Sequence, residues 1–173
     1  MRKVLFYFGS TTHDYRALMR DQQDLVLDGQ HIPISRLVIA DQTHSDITHI
    51  CKINDSGAGL GDKPQIPIVD GLATDIEGQF LLVRTADCTP VILYEASGKA
   101  VSAIHSGREG TRKNIVGKAV RQLVDHYQCS VSEIIAYIGP GICIDHYEVS
   151  EIVYESFNEA LREQNLTSYT QRH

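Results

Sequence analysis

Apolar and polar positions along the chain change period several times, and each period predicts a different element. Short apolar runs predict strands. These runs lie at residues 4–8, 36–40, 68–73, 80–84, 90–95, 100–105 and 134–138. Apolar side chains and a histidine occupy every second position from Ile47 to Ile53, which predicts a half-buried strand with Cys51 in the core. Residues 54–67 are rich in glycine and proline and predict a surface loop.

Helical periodicity is clearest between residues 111 and 127, where apolar side chains recur at steps of one, three and four. Thr111 is the expected N-cap of this helix. A more polar pattern predicts another helix at residues 14–27, and Ser150 is expected to cap a last one. The inner face of that last helix would carry Ile152, Val153, Phe157, Ala160 and Leu161. The expected class is α/β or α+β, with a mixed sheet core and helices packed outside.

Composition and charge narrow the classes of function. The 173 residues, of which 42% are hydrophobic, predict one globular domain over residues 1–173. The net charge of −6 argues against nucleic acid or an anionic membrane as a partner. The four cysteines show no Cys-x-x-Cys spacing, so a zinc ribbon and a thioredoxin-type motif are excluded. Without an export signal, we expect thiols and a cytoplasmic location.

Three short segments place reactive side chains at the ends of predicted strands, where α/β sites usually lie. They are residues 41–45, 85–90 and 105–111. His44, Cys88 and His105, one from each segment, would form a zinc set that leaves the fourth position for water or substrate. From spacing alone, the commoner alternative is a capping histidine, a buried thiol and a core histidine.

The same segments allow two further interpretations. Cys88 and His105 could act as nucleophile and base, as in cysteine hydrolases, with Asp87 or another carboxylate orienting the histidine. The glycine turn at residues 107–113 could hold phosphate, because Thr111 opens the predicted helix and Arg108 and Arg112 add positive charge. The alternative for that turn is a loop with solvated basic residues.

Five motifs, taken in order, resemble those of the YfiH family, also called multicopper polyphenol oxidoreductase or laccase-like. They are Gln-Thr-His-Ser at 42–45, Asp-Gly-Leu-Ala-Thr at 70–74, Ala-Asp-Cys-Thr-Pro at 86–90, His-Ser-Gly at 105–107, and Ile-Gly-Pro-Gly-Ile at 138–142 with Tyr-Glu-Val at 147–149. The resemblance implies a YfiH-like fold with His44, Cys88 and His105 as ligands of a catalytic zinc. It also implies a zinc-dependent purine nucleoside phosphorylase with adenosine deaminase activity.

Two departures from the family pattern bear on this expectation. The family usually continues its second histidine as His-Ala-Gly-Trp-Arg-Gly, whereas Arg108 and Glu109 stand here in place of the tryptophan and arginine. If that arginine holds phosphate or substrate, either Arg108 takes its place or the specificity has changed. The family chain also normally continues beyond the position of His173, so we expect either a fragment or a short relative.

The function expected from the resemblance has a small-molecule nucleoside and phosphate as its substrates. The zinc set would polarise substrate or phosphate, Arg108, Thr111 and Arg112 would hold phosphate, and Asp87 or Glu109 would manage the proton. The metal-free cysteine hydrolase with Cys88 and His105 remains the main alternative. Copper is a possible metal, but one His₂Cys set resembles a single copper centre, whereas a laccase needs several. A non-catalytic metal-binding module is the last alternative.

Overall fold

A computed structural model describes residues 3–9, 20–27 and 29–164. The strands are β1 (Leu25–Leu27), β2 (Gln30–Ile32), β3 (Leu37–Ile39), β4 (Thr48–Ile50), β5 (Gly71–Thr74), β6 (Phe80–Leu82), β7 (Thr89–Glu95), β8 (Val101–Ser106) and β9 (Ile134–Ile138). The helices are α1 (Arg108–Arg112), α2 (Ile115–Tyr127) and α3 (Glu151–Glu163). Within these described ranges, no helix has the length and apolar character needed to cross a membrane.

A five-stranded mixed sheet forms the centre of the fold, in the order β4-β5-β8-β7-β9. The β4 and β5 strands are parallel, and the other neighbours in this sheet are antiparallel. A second parallel pair joins β3 to β6, and β1 and β2 form a hairpin. The predicted mixed sheet with helices packed outside is confirmed.

The α2 helix supplies the stripe that covers the central sheet. Its residues Ile115, Ala119, Leu123 and Tyr127 are buried at steps of four, so they share one face. They pack in one cluster with apolar side chains of β5, β7 and β8. Burying a side chain such as Leu or Ile contributes about 1.5–3 kcal/mol relative to leaving it exposed. This packing fixes β8, the strand that carries His105.

The amino-terminal region departs from the sequence expectation. The predicted strand at residues 4–8 is wrong, because this segment pairs with no strand in the part of the chain that the structure describes. The Phe6 ring packs instead against Tyr137, 4.4 Å away between ring centroids. Of the predicted helix at 14–27, residues 14–19 lie outside the described residues, and Arg20 and Asp21 are helical as predicted. Its last residues, Leu25–Leu27, form a strand instead, because Gly29 takes a φ of +74° and turns the chain back into β2.

The helix predicted at residues 111–127 is divided between α1 and α2, so Thr111 as its N-cap is wrong. Gly107 is the N-cap residue of α1, and Asn114 is that of α2. Asn114 takes a left-handed φ of +59°, and its Oδ1 accepts a hydrogen bond from the Gly117 N–H at 3.0 Å. The Thr111 hydroxyl lies 2.8 Å from the Ser106 hydroxyl.

Two further expectations are partly wrong. Ser150 occupies the N-cap position of α3 as predicted, but Ile152, expected on the inner face, is 83% exposed. The predicted surface loop at 54–67 buries Ala58, Leu60 and Ile66. It does so because its backbone bonds to the β3 strand: the N–H of Ile39 donates to the carbonyl of Ala58 at 3.1 Å.

Asn114 offers a test of the division between the two helices. We expect Asn114→Ala to lower the free energy of unfolding by about 1–2 kcal/mol, because it removes the cap and puts a Cβ-bearing residue without a compensating bond at a left-handed φ. Asn114→Gly also removes the cap, but glycine adopts this φ without strain. It should therefore lower the free energy of unfolding by only a few tenths of a kcal/mol. Urea denaturation measures both, and equal losses would contradict the argument.

Candidate metal centre

The structure brings together the three side chains predicted as metal ligands. The donor atoms of His44, Cys88 and His105 all lie within 4.8 Å of one another. The two imidazole rings are 4.9 Å apart between centroids and meet at 79°. Donors in a tetrahedral zinc site lie about 3.5 Å apart, given metal–ligand bonds of about 2.0–2.3 Å. Small side-chain adjustments would therefore suffice to hold a metal, and the assignment as ligands stays a prediction.

Strand pairing explains why three distant segments meet here. Cys88 directly precedes β7, and His105 lies near the end of β8. These strands are antiparallel with Pro90 opposite His105, so the start of one lies beside the end of the other. His44 follows β3 in the segment that leads to β4, and its own φ is +60°.

Gly107 leaves the space that this set occupies. A Cβ placed there would lie 2.9 Å from His44 Cδ2, 3.3 Å from His105 Cε1 and 3.5 Å from Cys88 Sγ. All three candidate ligands therefore surround one point of backbone without a side chain. Because the φ of Gly107 is −73°, glycine is required here by the close approach of the ligands, not by backbone conformation.

Asp70 connects the two histidine-bearing segments. Its carboxylate is fully buried. It accepts hydrogen bonds from the backbone N–H groups of Thr43, His44 and Ser45 at 3.2, 3.1 and 2.6 Å, and from the Ser45 hydroxyl at 2.7 Å. It also lies 2.7 Å from His105 Nδ1. One carboxylate therefore holds the backbone around His44 and the ring of His105.

The contact with Asp70 assigns the two nitrogens of His105. A carboxylate only accepts, so Nδ1 carries the hydrogen, and Nε2 keeps the lone pair that a metal needs. Burial by itself would raise the pKa of the Asp70 carboxyl, but the hydrogen bonds from His105, Ser45 and Thr43 outweigh it and hold that pKa below its usual value. The sequence motif at 70–74 included Asp70, but nothing in the pattern indicated this role.

The Cys88 thiol is not activated by its surroundings alone. Burial raises its pKa, and the negative charge of Asp87 raises it further, while a hydrogen bond from the Arg108 N–H acts in the opposite direction. A cysteine nucleophile needs a lowered pKa. A bound cation would hold the sulfur as a thiolate, which a metal-free nucleophile at this position would lack.

The carboxylate predicted for proton transfer lies next to the set. Asp87 is exposed, and its backbone carbonyl accepts from the Ile142 N–H at 2.8 Å. Glu109, the other candidate, accepts two hydrogen bonds from Arg112, at 3.0 and 2.9 Å. Asp87 is therefore the more available of the two carboxylates.

The three residues predicted to hold phosphate do not lie together in the structure. Arg108 begins α1 beside Gly107, and its side chain is 46% exposed, with a 4.0 Å ion pair to Glu109. Arg112 lines a groove of about 530 Å³ between α1, α2 and α3. Thr111 points to Ser106, as described above. Arg108 is thus the cation placed nearest to the candidate ligands along the chain.

Substitution of Gly107 tests how tightly the set is packed. We expect Gly107→Ala to weaken zinc affinity by about 10- to 100-fold, because its Cβ would push His44 aside. Isothermal titration with zinc measures this. Unfolding of the metal-free protein serves as the control, since alanine is compatible with the backbone at this position. Unchanged affinity would show that the ligands do not meet around Gly107.

Comparison with known proteins adds independent information. Residues 6–173 match the model of a family described as multi-copper polyphenol oxidoreductase laccase. A purine nucleoside phosphorylase of Bacteroides thetaiotaomicron is 34% identical over 144 residues, which are 82% of this chain and 53% of that protein. Adenosine deaminase RL5, from an unknown prokaryotic organism, is 33% identical over 132 residues, 75% of this chain and 49% of that one.

A solved structure shows the same architecture. YlmD of Geobacillus stearothermophilus superimposes with a TM-score of 0.71 at 31% identity, covering 81% of this chain and 50% of that one. The chain spans about half the length of the curated relatives it matches. The match to the family model extends over nearly all of its residues, beyond the motifs first noticed in the sequence. The chain therefore belongs to the multi-copper polyphenol oxidoreductase laccase family, the YfiH-like family that its motifs resemble.

Proposed function

We propose that this chain carries the metal centre of a zinc-dependent purine nucleoside phosphorylase that also deaminates adenosine. The observation that carries the proposal is the convergence of His44, Cys88 and His105, with His105 held by the buried Asp70. Relatives named purine nucleoside phosphorylase and adenosine deaminase, at 34% and 33% identity, support this reaction class. The substrates are a purine nucleoside and phosphate, without a nucleic-acid or membrane partner.

The chemistry of the donors fits zinc. Two neutral imidazoles and one thiolate are ligands that zinc prefers, and a three-ligand set leaves one position for a substrate or water. Copper also binds this set, and availability in the cell decides between the two metals. Cys51, Cys88, Cys129 and Cys143 are all free thiols, which supports the expected cytoplasmic location.

The protein groups have separate tasks in phosphorolysis, in which a phosphate oxygen bonds to the anomeric carbon as the bond to the purine breaks. A bound zinc ion would supply Lewis-acid polarisation and lower the pKa of a water molecule. Asp70 orients the His105 ring, and the exposed Arg108 attracts the phosphate. Asp87 relays a proton from the bound dihydrogen phosphate or from water to the purine as it leaves.

The first experiment measures phosphate-dependent release of the base from inosine, guanosine and adenosine, together with ammonia released from adenosine. We expect both activities in the zinc-loaded protein. Both should disappear after chelation and return when zinc is added back. Zinc-loaded protein with no turnover of any of these nucleosides would contradict the proposal and leave the non-catalytic metal-binding module.

The other two alternatives give different results in the same set of assays. A Cys88–His105 hydrolase would be insensitive to chelation and would be inactivated by iodoacetamide. A copper oxidase would oxidise phenols after copper loading and would ignore phosphate. The raised pKa of the Cys88 thiol argues against the first of these alternatives.

A further inference from the structure

A second group of possible metal ligands lies away from the candidate centre. The donor atoms of His49, Cys51 and Asp55 all lie within 4.8 Å of one another. His49 Nε2 is 2.9 Å from Asp55 Oδ2. Cys51 is 3% exposed, whereas the side chains of His49 and Asp55 are 32% and 21% exposed. The group is thus closed on the sulfur side and open to solvent on the other.

The two groups stand at opposite ends of one pair of parallel strands. His44 precedes β4 and Asp70 precedes β5, so the candidate centre lies at the amino ends of these strands. Cys51 follows β4 directly, and its N–H donates to the carbonyl of Ala73 in β5 at 2.7 Å. His49 and Cys51 are two residues apart along an extended chain, which puts them on the same face.

A short 3-10 turn, Ile53–Asp55, brings the third donor back to this face. Asp55 Oδ2 accepts from the Lys52 N–H at 2.7 Å, which fixes the carboxylate. The Lys63 ammonium donates to the carbonyls of Asn54 and Ser56, the residues on either side of Asp55. These hydrogen bonds therefore fix the turn in the conformation that places the Asp55 carboxylate beside His49.

We propose that His49, Cys51 and Asp55 form a second binding site, for a divalent ion of the zinc class. The three side chains supply nitrogen, sulfur and oxygen, all of which zinc accepts. A thiolate and a carboxylate together balance the charge of a divalent ion, so the occupied site is neutral. The ion takes the place of the hydrogen between His49 and Asp55, and the protons displaced from ligands leave to solvent.

The position indicates an ion that stabilises the fold, with water as its fourth ligand on the side of His49 and Asp55 that is open to solvent. The sulfur lies in a cluster of buried apolar side chains of β3, β5 and the 54–67 segment and is closed off from solvent. An ion here would join the end of β4 to the 53–55 turn. It would stabilise the strand pair whose other end carries His44 and Asp70.

Cobalt titration tests the proposal without interference from the first site. The full chain carrying Cys88→Ser and Cys143→Ser keeps Cys51 and Cys129 as its thiols; Cys143 is removed because its sulfur lies 2.8 Å from His146 Nδ1. We expect this protein to bind one equivalent of Co²⁺ with a sulfur-to-cobalt charge-transfer band. Zinc should displace the cobalt.

Further substitutions in the same protein identify the ligands. Cys51→Ala should abolish the band, and Cys129→Ala should leave it unchanged. His49→Gln and Asp55→Asn leave the buried sulfur in place and should each weaken cobalt affinity by about 10-fold or more, which keeps the test valid if Cys51→Ala does not fold. The absence of a thiolate band, or a band that survives all three ligand substitutions, would overturn the proposal. Because Cys88 is absent from this protein, a sulfur-to-cobalt band cannot come from the first site, and neither result depends on nucleoside turnover.

Discussion

Cys88→Ser is expected to lower the kcat/KM for phosphate-dependent nucleoside cleavage by about 1,000-fold and to remove one equivalent of zinc. Serine is nearly isosteric, but its hydroxyl does not ionise to give the anionic ligand that zinc receives from cysteine. Lewis-acid stabilisation contributes several kcal/mol to a transition state, and each 1.36 kcal/mol corresponds to a tenfold change in rate. Loss of the metal therefore accounts for a reduction of about this size.

The measurement pairs metal content, by plasma mass spectrometry, with the steady-state assay. Cys129→Ala is the matched control, because this buried thiol lies after α2 and belongs to the apolar cluster of the central sheet. It should keep both metal and activity. If Cys88→Ser has the same zinc content and turnover as the unsubstituted protein, the sulfur is not a ligand and the proposed centre is wrong.

Asp70→Asn is expected to destabilise the metal-free protein by about 3 kcal/mol, because it leaves buried hydrogen-bond donors that now share the Asp70 carboxylate without an acceptor. The carboxylate accepts from three backbone N–H groups, one hydroxyl and one imidazole. The asparagine amide has only one oxygen that can accept these hydrogen bonds. Its NH₂ group would face other donors and could not accept from them. Zinc affinity should also fall by about 10- to 100-fold, as found when a hydrogen-bond partner of a metal ligand is lost.

Urea denaturation of chelated protein and zinc titration measure the two effects separately. Ser45→Ala provides a graded comparison, because it removes one of the bonds to Asp70 and should cost only about 1 kcal/mol. Equal losses for Asp70→Asn and Ser45→Ala would mean that the other donors to Asp70 contribute little. The proposed connection between the two histidine segments would then fail.

Much of the central fold was predictable because its elements have clear periods. The apolar runs that became β7, β8 and β9 needed no tertiary information, and neither did the stripe of α2. Strand order was not predictable, since the pairing of β7 with β8 depends on contacts between distant segments. That pairing brings Cys88 to His105, which is why spacing left the set open and only the family motifs favoured it.

The residues that sequence reasoning missed act through burial and backbone geometry. Asp70 is important because three N–H groups converge on it, in a turn where His44 adopts a left-handed φ of +60°. His49 received no role, because Asp55 reaches it through a turn at the start of a segment that looked like a solvated loop. Residues 25–27 were expected to be helical, and their pairing with β2 overrode that local preference.

The hydrogen bonds that converge on Asp70 also bear on how the protein acquires its metal. They hold the backbone of residues 43–45 and the His105 ring through protein contacts alone. Folded apoprotein would thus already hold the segment of His44 and the ring of His105 in place, and loading would require only small side-chain adjustments. If the site forms before the metal binds, the ion taken up reflects the metals available in the cell when the chain is made. Growth in copper-supplemented medium would then yield copper-loaded protein, and a change of medium would yield the zinc form from the same gene.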